Sequence, residues 1–211
     1  MADNCCASKG QELEDLARQG EQRRVLVVVL LINAAMFVAE FGAGIVAGST
    51  ALMADASDML GDALVYGVSI YALSRSDRWK AGAAVFKGAF ILLLALGLVV
   101  NVVVKVSSGV PPSSGLMLAF GGAALVANLL CLALLSRFRA QDLNMASTFE
   151  CSRNDVISNV GVLVAAGAVA AFASPWPDIL IGAGMAVIIF RSSARVLIEA
   201  IPQLRATRAE V

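Results

Sequence analysis

The chain has 211 residues, of which 59% are hydrophobic and only 15% are charged, and its mean hydropathy is +0.80. Soluble domains are about 45–50% apolar and about 25% charged, so this composition excludes a soluble globular protein and indicates an integral membrane protein. The 16 basic and 16 acidic side chains give a net charge of zero, and the absence of histidine excludes every histidine-based chemistry.

Six segments are long and apolar enough to cross a membrane, since a span needs about 20 mostly apolar residues. They cover approximately residues 25–48, 50–73, 82–107, 115–136, 143–173 and 178–200. Residues 1–22 are polar and lack the apolar stretch of a cleavable signal peptide. The sequence therefore predicts an all-α integral membrane protein, with a polar tail at 1–22, a six-helix transmembrane domain at 23–200 and a short tail at 201–211.

The distribution of basic residues predicts the orientation of these helices. Arginine and lysine are concentrated in the two tails and in the connections at 74–81 and 137–142, whereas the alternate connections carry almost none. Short cytoplasmic segments of membrane proteins are enriched in these residues. We therefore expect both termini to be cytoplasmic.

Two aspartates interrupt the second predicted span near the bilayer midplane. Asp58 and Asp62 are four residues apart, which places them one above the other on one face of a helix. An ionised carboxylate at this depth costs at least about 2.5–3.5 kcal/mol, so a compensating partner is required. That partner would be either a basic side chain in a polar network or a bound cation.

The fifth predicted span carries a matching pair, Cys151 and Asp155, which are also four residues apart. The second and fifth spans run in opposite directions, so the two pairs reach similar depths. Three carboxylates and one thiolate suit a tetrahedral divalent-metal site, and the thiolate favours Zn²⁺ and Cd²⁺ over harder ions. The alternative for Cys151 is a small packing residue, the usual role of a lone cysteine in an apolar span.

Two segments resemble the signatures of a transporter family. The stretches GSTALMADASDMLGDAL and CSRNDVISNVGV are similar to the second-helix and fifth-helix motifs of the cation diffusion facilitators, and the first span with Asn33 and Glu40 also fits. The resemblance implies a homodimeric exporter that exchanges Zn²⁺ or a similar ion for protons. It also implies that Asp58, Asp62, Cys151 and Asp155 are the metal ligands.

The sequence departs from the family pattern in two respects. Members usually carry histidine or aspartate where Cys151 stands, and they usually continue past the sixth helix into a soluble metal-binding domain, whereas this chain ends at Val211. We therefore expect a six-helix member without that C-terminal cytoplasmic domain. The resemblance also suggests Lys87 as a residue at a dimer contact.

Five further side chains are candidate auxiliary residues of the metal site: Asp55, Glu40, Asn154, Cys5 and Cys6. Asp55 is expected either to cap the second helix or to line an exit path. Glu40 is expected either to relay protons or to pair with a serine, asparagine or arginine. The two adjacent cysteines would capture a soft ion at the cytoplasmic entrance, or they belong to a tail without a role in transport.

The sequence thus predicts a secondary transporter rather than an enzyme, in a bacterial-type inner membrane. Its substrates are a divalent metal ion and protons, its surroundings are lipid, and no cofactor or nucleic-acid partner is expected. The alternatives are export of Mn²⁺, Co²⁺ or Ni²⁺, and a non-transporting metal sensor or assembly partner. A small multidrug exporter is ranked last, because only Tyr66 offers an aromatic ring one turn from Asp62.

Overall fold

The computed structural model describes residues 2–72, 77–139 and 143–209, which form six α-helices. In chain order they are α1 (Ala2–Ala47), α2 (Thr50–Ala72), α3 (Asp77–Ser108), α4 (Ser114–Ser136), α5 (Leu143–Phe172) and α6 (Trp176–Ala209). Each predicted span coincides with one helix. The segments expected as polar tails are helical where the structure describes them: residues 2–22 continue α1 and residues 201–209 continue α6.

Five of the helices have the length and apolarity of a membrane span: Gly20–Ala47, Ala81–Ser108, Ser114–Ser136, Phe149–Phe172 and Trp176–Arg205. α2 has 23 residues, or about 34 Å at 1.5 Å per residue, but its three aspartates reduce its apolarity. Large apolar side chains such as Val46, Val100 and Phe172 are exposed on the surface of the single chain. The protein is therefore a multi-pass membrane protein.

The helix α2 lies at the centre of the molecule, where it contacts each of the other five helices. The most extensive packing elsewhere joins α3 to α6 and α4 to α5. An apolar core cluster that includes Leu52, Leu98 and Val162 fills the space between α2, α3 and α5. From Thr50 to Gly67 no residue of α2 is exposed, so this part of the helix lies against protein, which is where a polar helix in a membrane has to lie.

A tight hairpin joins α1 to α2 and depends on glycine. Gly48 has a φ of +62°, a backbone conformation that costs glycine little and other residues more. The helices then approach closely at Gly44, where an added Cβ would lie 2.7 Å from Met53 Cγ. Gly182 of α6 permits a similar approach, since its Cβ would lie 2.8 Å from the backbone of Thr50.

The first turn of α2 is capped by a side chain from α6. The Asp178 carboxylate accepts hydrogen bonds from the backbone N–H groups of Thr50 (2.9 Å) and Ala51 (3.1 Å) and from Ser49 Oγ (2.5 Å). Lys105 of α3 donates to Asp178 Oδ2 at 2.7 Å and also to the Gly48 carbonyl oxygen. We refer to Ser49, Lys105 and Asp178 as the clasp, because together they join α2, α3 and α6 at one end of the bundle.

Replacing Asp178 with leucine should lower the free energy of unfolding by about 3–5 kcal/mol, because it leaves the buried Lys105 without a counter-ion. Thermal or denaturant unfolding of the purified protein in detergent would measure this. The double variant Asp178→Leu with Lys105→Met should recover part of the loss, and Ser136→Ala at an exposed position serves as the control. A single variant as stable as the wild type would contradict the role of the clasp.

Candidate metal centre

Four polar side chains form a line along α2. Asp55, Asp58, Asp62 and Tyr66 follow one another at spacings of three or four residues, which places them on one face of the helix. Asp55 is 1% exposed and Tyr66 is 3% exposed, while Asp58 and Asp62 are half-buried. A helix with three carboxyl groups on one buried face requires hydrogen-bond donors, protons or cations from its neighbours.

The carboxyl groups of Asp62 on α2 and Asp155 on α5 lie next to each other. Asp155 is buried, and the Tyr66 hydroxyl donates a hydrogen bond to Asp62 Oδ2 at 3.0 Å, which fixes that carboxyl group in place. Two carboxylates repel each other in a medium of low dielectric constant, so this contact needs a shared proton or a cation. The contact across the two helices is the arrangement expected from the paired spacings in the sequence.

The other two predicted ligands lie near this pair without closing around a common point. Asp58 and Cys151 both interact electrostatically with Asp62 and Asp155, and the Cys151 side chain is exposed at the edge of the site. Within residues 2–72, 77–139 and 143–209, no three cysteine or acidic side chains lie close enough to share one ion. The structure thus brings the four residues into one neighbourhood and places two of them in contact.

A chain of buried polar side chains lies beside the site. Asn128 on α4 donates to Asn159 Oδ1 at 3.0 Å, and Asn159 on α5 donates to Asp55 Oδ2. Asp55 in turn lies next to the carboxyl group of Glu40 on α1, which is 0% exposed and has no hydrogen-bond donor for either oxygen among the described residues. A proton shared between Glu40 and Asp55 would satisfy this contact, because one acid then acts as the donor.

For each of these two acids, one of the two expected roles does not fit the structure, and the other stays a prediction. Asp55 does not cap α2, because the first turn is capped by Ser49, which accepts from the Leu52 N–H at 3.1 Å, and by Asp178. Glu40 contacts an acid rather than a serine, asparagine or arginine. The sequence pattern could not show either contact, because both depend on which helix packs against the buried face of α2.

The remaining auxiliary candidates are Asn154, Cys5 and Cys6. Asn154 is exposed on α5, and Arg153 forms an ion pair with Glu150 at 2.6 Å, as the helix spacing predicts. The side chains of Cys5 and Cys6 are outside the described part of the structure. Their suggested role in ion capture stays a prediction.

Three further residues have contacts that the sequence pattern did not predict. Lys87 on α3 interacts electrostatically with Asp58, Asp62 and Cys151. Asn159 lies one helical turn from Asp155 and extends its polar face, a spacing that was visible in the sequence. On the other side, Asn33 of α1 donates to the Val29 carbonyl oxygen at 2.9 Å and approaches Cys131 Sγ at 3.9 Å.

Residues 26–205 match the model of the cation efflux transmembrane domain, which covers most of the chain. The chain belongs to the cation efflux family. It is 24% identical over 206 residues to the cadmium, cobalt and zinc/H⁺-K⁺ antiporter of Bacillus subtilis, covering 88% of this chain and 66% of that protein. The matched region is the transmembrane domain of that family.

Two further relatives are similar to this chain. The metal cation efflux system protein CzcD of Cupriavidus metallidurans is 24% identical over 202 residues, covering 87% of this chain and 64% of that protein. Metal tolerance protein A2 of Arabidopsis thaliana is 31% identical over 136 residues, covering 58% and 34%. The chain spans about two thirds of the length of the two bacterial relatives.

Replacing Glu40 with glutamine should preserve the fold, with the free energy of unfolding within about 1 kcal/mol of the wild type, because the amide can donate to Asp55. Replacing Asp55 with leucine should instead cost about 1–3 kcal/mol, because the Asn159 amide and Glu40 both lose their partner. Unfolding of the purified variants in detergent measures both values, with Asn154→Ala as the control. The opposite order of stability would refute the shared-proton arrangement.

Proposed function

We propose that this protein exports Zn²⁺, Cd²⁺ or both from the cytoplasm in exchange for protons, through a site made of Asp58, Asp62, Cys151 and Asp155. The observation that supports this most directly is the contact between the Asp62 and Asp155 carboxyl groups across α2 and α5. Membership of the cation efflux family supplies the class of substrate. Among the described residues, the side chains near this contact include those of Asp58 on α2 and Cys151 on α5, so both helices contribute to the proposed site.

The ligand types favour borderline-soft ions. Aspartate oxygens and a cysteine sulfur are both ordinary zinc ligands, at about 2.0–2.2 Å and 2.3 Å respectively, and four such groups suit tetrahedral coordination. A thiolate further favours Cd²⁺ and Zn²⁺ over Mn²⁺. The name of the Bacillus subtilis relative refers to cadmium, cobalt and zinc, and that of the Cupriavidus metallidurans relative refers to metal cation efflux, which agrees with this assignment.

Proton exchange follows from competition for the same atoms. Without a metal ion, the contact between Asp62 and Asp155 needs a proton. A divalent ion binds the deprotonated forms and expels that proton. If the site opens alternately to the two sides of the membrane, an inward proton gradient then drives outward movement of the metal.

The proposed topology has six spans. The five apolar helices are joined by α2, whose aspartates lower its apolarity. The basic connections at 74–81 and 137–142 put both termini in the cytoplasm, which places the α1–α2 hairpin and the clasp on the outer side. The functional form is proposed to be a homodimer, as the family resemblance implies.

Substituting any one of the proposed ligands should weaken metal binding. Asp58→Asn, Asp62→Asn and Asp155→Asn should each weaken the binding of Zn²⁺ at least about tenfold, because each removes an anionic ligand. Cys151→Asp should weaken Cd²⁺ binding more than Mn²⁺ binding, because it replaces a soft donor with a hard one. Calorimetric titration of the purified protein measures these affinities.

Asn154→Ala and Arg153→Gln, on the same helix and both exposed, serve as matched controls and should bind like the wild type. Wild-type affinity in all three asparagine variants would rule out the proposed site. Equal losses for Cd²⁺ and Mn²⁺ in Cys151→Asp would remove the thiol from the ligand set.

Proton coupling should appear as pH dependence and as counter-movement. The dissociation constant for Zn²⁺ should rise as the pH falls, because protons compete for the carboxylate and thiolate ligands. In proteoliposomes that enclose a pH-sensitive dye, Zn²⁺ uptake should move protons out of the vesicle lumen. Uptake without a pH change would refute the exchange, and binding without any flux would indicate a metal sensor instead.

A further inference from the structure

A basic side chain on α3 lies near the candidate metal centre. Lys87 is half-buried, and it interacts electrostatically with Asp58, Asp62 and Cys151, which belong to both ligand-bearing helices. The proposed ligands therefore have a positively charged neighbour that is part of the chain itself. A lysine ammonium group is a compact charge on a flexible stem, so it can approach or leave the carboxylates without movement of the backbone.

The orientation of Lys87 is fixed by the packing of α3. Lys87 and Lys105 are 18 residues apart, or five helical turns, so they lie on the same face. Lys105 contacts the Gly48 carbonyl oxygen at the start of α2 and Asp178, and Asn101 on the same face accepts from Thr50 Oγ1 at 2.7 Å. In the half of α3 that contains Asn101 and Lys105, this face is therefore turned toward α2.

The same face also contacts α2 at the level of the aspartates. Ile91, one turn from Lys87, is buried, and its Cδ1 lies 3.8 Å from the position that a Cβ on Gly61 would take. Gly61 precedes Asp62 directly in the sequence. Next to Lys87, Gly88 packs closely on Val196 and Leu197 of α6, which holds this part of α3 in place. The side chain of Lys87 therefore begins one turn of α3 away from Ile91, which packs against the ligand-bearing segment of α2.

The charge of Lys87 acts in opposite directions in the two states of the site. When no metal ion is bound, the ammonium group is attracted by the carboxylates and offsets part of their mutual repulsion. When a divalent cation is bound, the two positive charges repel each other. A cation at this position therefore stabilises the ion-free site and destabilises the loaded one.

We propose that Lys87 is a tethered counter-ion of the metal site, which limits the affinity for the transported ion and promotes its release. This inference rests on the proposed function, since it concerns the same site. Lys87 is not a ligand in this proposal, because a protonated amine has no lone pair to offer the metal. It acts through the charge that it holds beside the ligands.

The test is a comparison of Cd²⁺ binding by the purified full chain and by variants that remove or retain this charge. Lys87→Met keeps the length of the stem and removes the charge, and it should bind Cd²⁺ at least about tenfold more tightly and release it to a chelator correspondingly more slowly. Lys87→Gln should behave in the same way and replaces the methionine variant if that one does not fold. Lys87→Arg retains the charge and should stay within about threefold of the wild type.

The matched control is Arg153→Met, which removes an exposed cation on α5 that is paired with Glu150 and should leave the affinity unchanged. Tighter binding separates this role from a structural one, because a variant that merely loosens the packing would lose affinity. Unchanged or weaker Cd²⁺ binding in both neutral variants would overturn the inference while leaving the proposed function intact. The same titrations are run with Zn²⁺, and a wild-type protein that binds neither Cd²⁺ nor Zn²⁺ would overturn both.

Discussion

The structure depends on the electrostatics of carboxyl groups that are buried within a membrane protein. Asp55, Asp58 and Asp62 lie on one face of α2, and Asp155 and Glu40 approach that face from α5 and α1. No arrangement of five ionised carboxylates is stable in a medium of low dielectric constant. Each contact therefore requires a proton, a hydrogen-bond donor or a cation, and the neighbouring helices supply different combinations of the three.

These combinations divide the acids into two groups. Asp55 and Glu40 are fully enclosed and are connected to the amides of Asn159 and Asn128, an arrangement typical of a structural network. Asp58 and Asp62 are half-buried and face Asp155, with Cys151 at the exposed edge and Lys87 nearby. The partial exposure of Asp58 and Asp62 gives an ion access to the second group. The enclosed carboxyl groups of Asp55 and Glu40 offer no such access.

Much of this could be predicted from the sequence, because the strongest signals were local. The apolar runs predicted all six helices, and the i,i+4 spacing predicted that Asp62 and Asp155 would face each other. The clasp, the contact between Glu40 and Asp55 and the position of Lys87 were not predicted, because each depends on the rotation of one helix against another. The two lysines of α3 were 18 residues apart in the sequence, but only the contacts of Lys105 show which helix that face meets.

The clasp also determines how α2 can move. Because α6 and α3 hold the first turn of α2, a rigid tilt of α2 about that end would displace each residue in proportion to its distance from the clasp. Asp62 lies 12 residues from Thr50, or about 18 Å along the axis, so a tilt of about 10° would displace it by about 3 Å. Asp55, at less than half that radius, would move by only about 1 Å. A small rocking motion would thus separate Asp62 from Asp155 while the contact between Asp55 and Glu40 stayed nearly fixed.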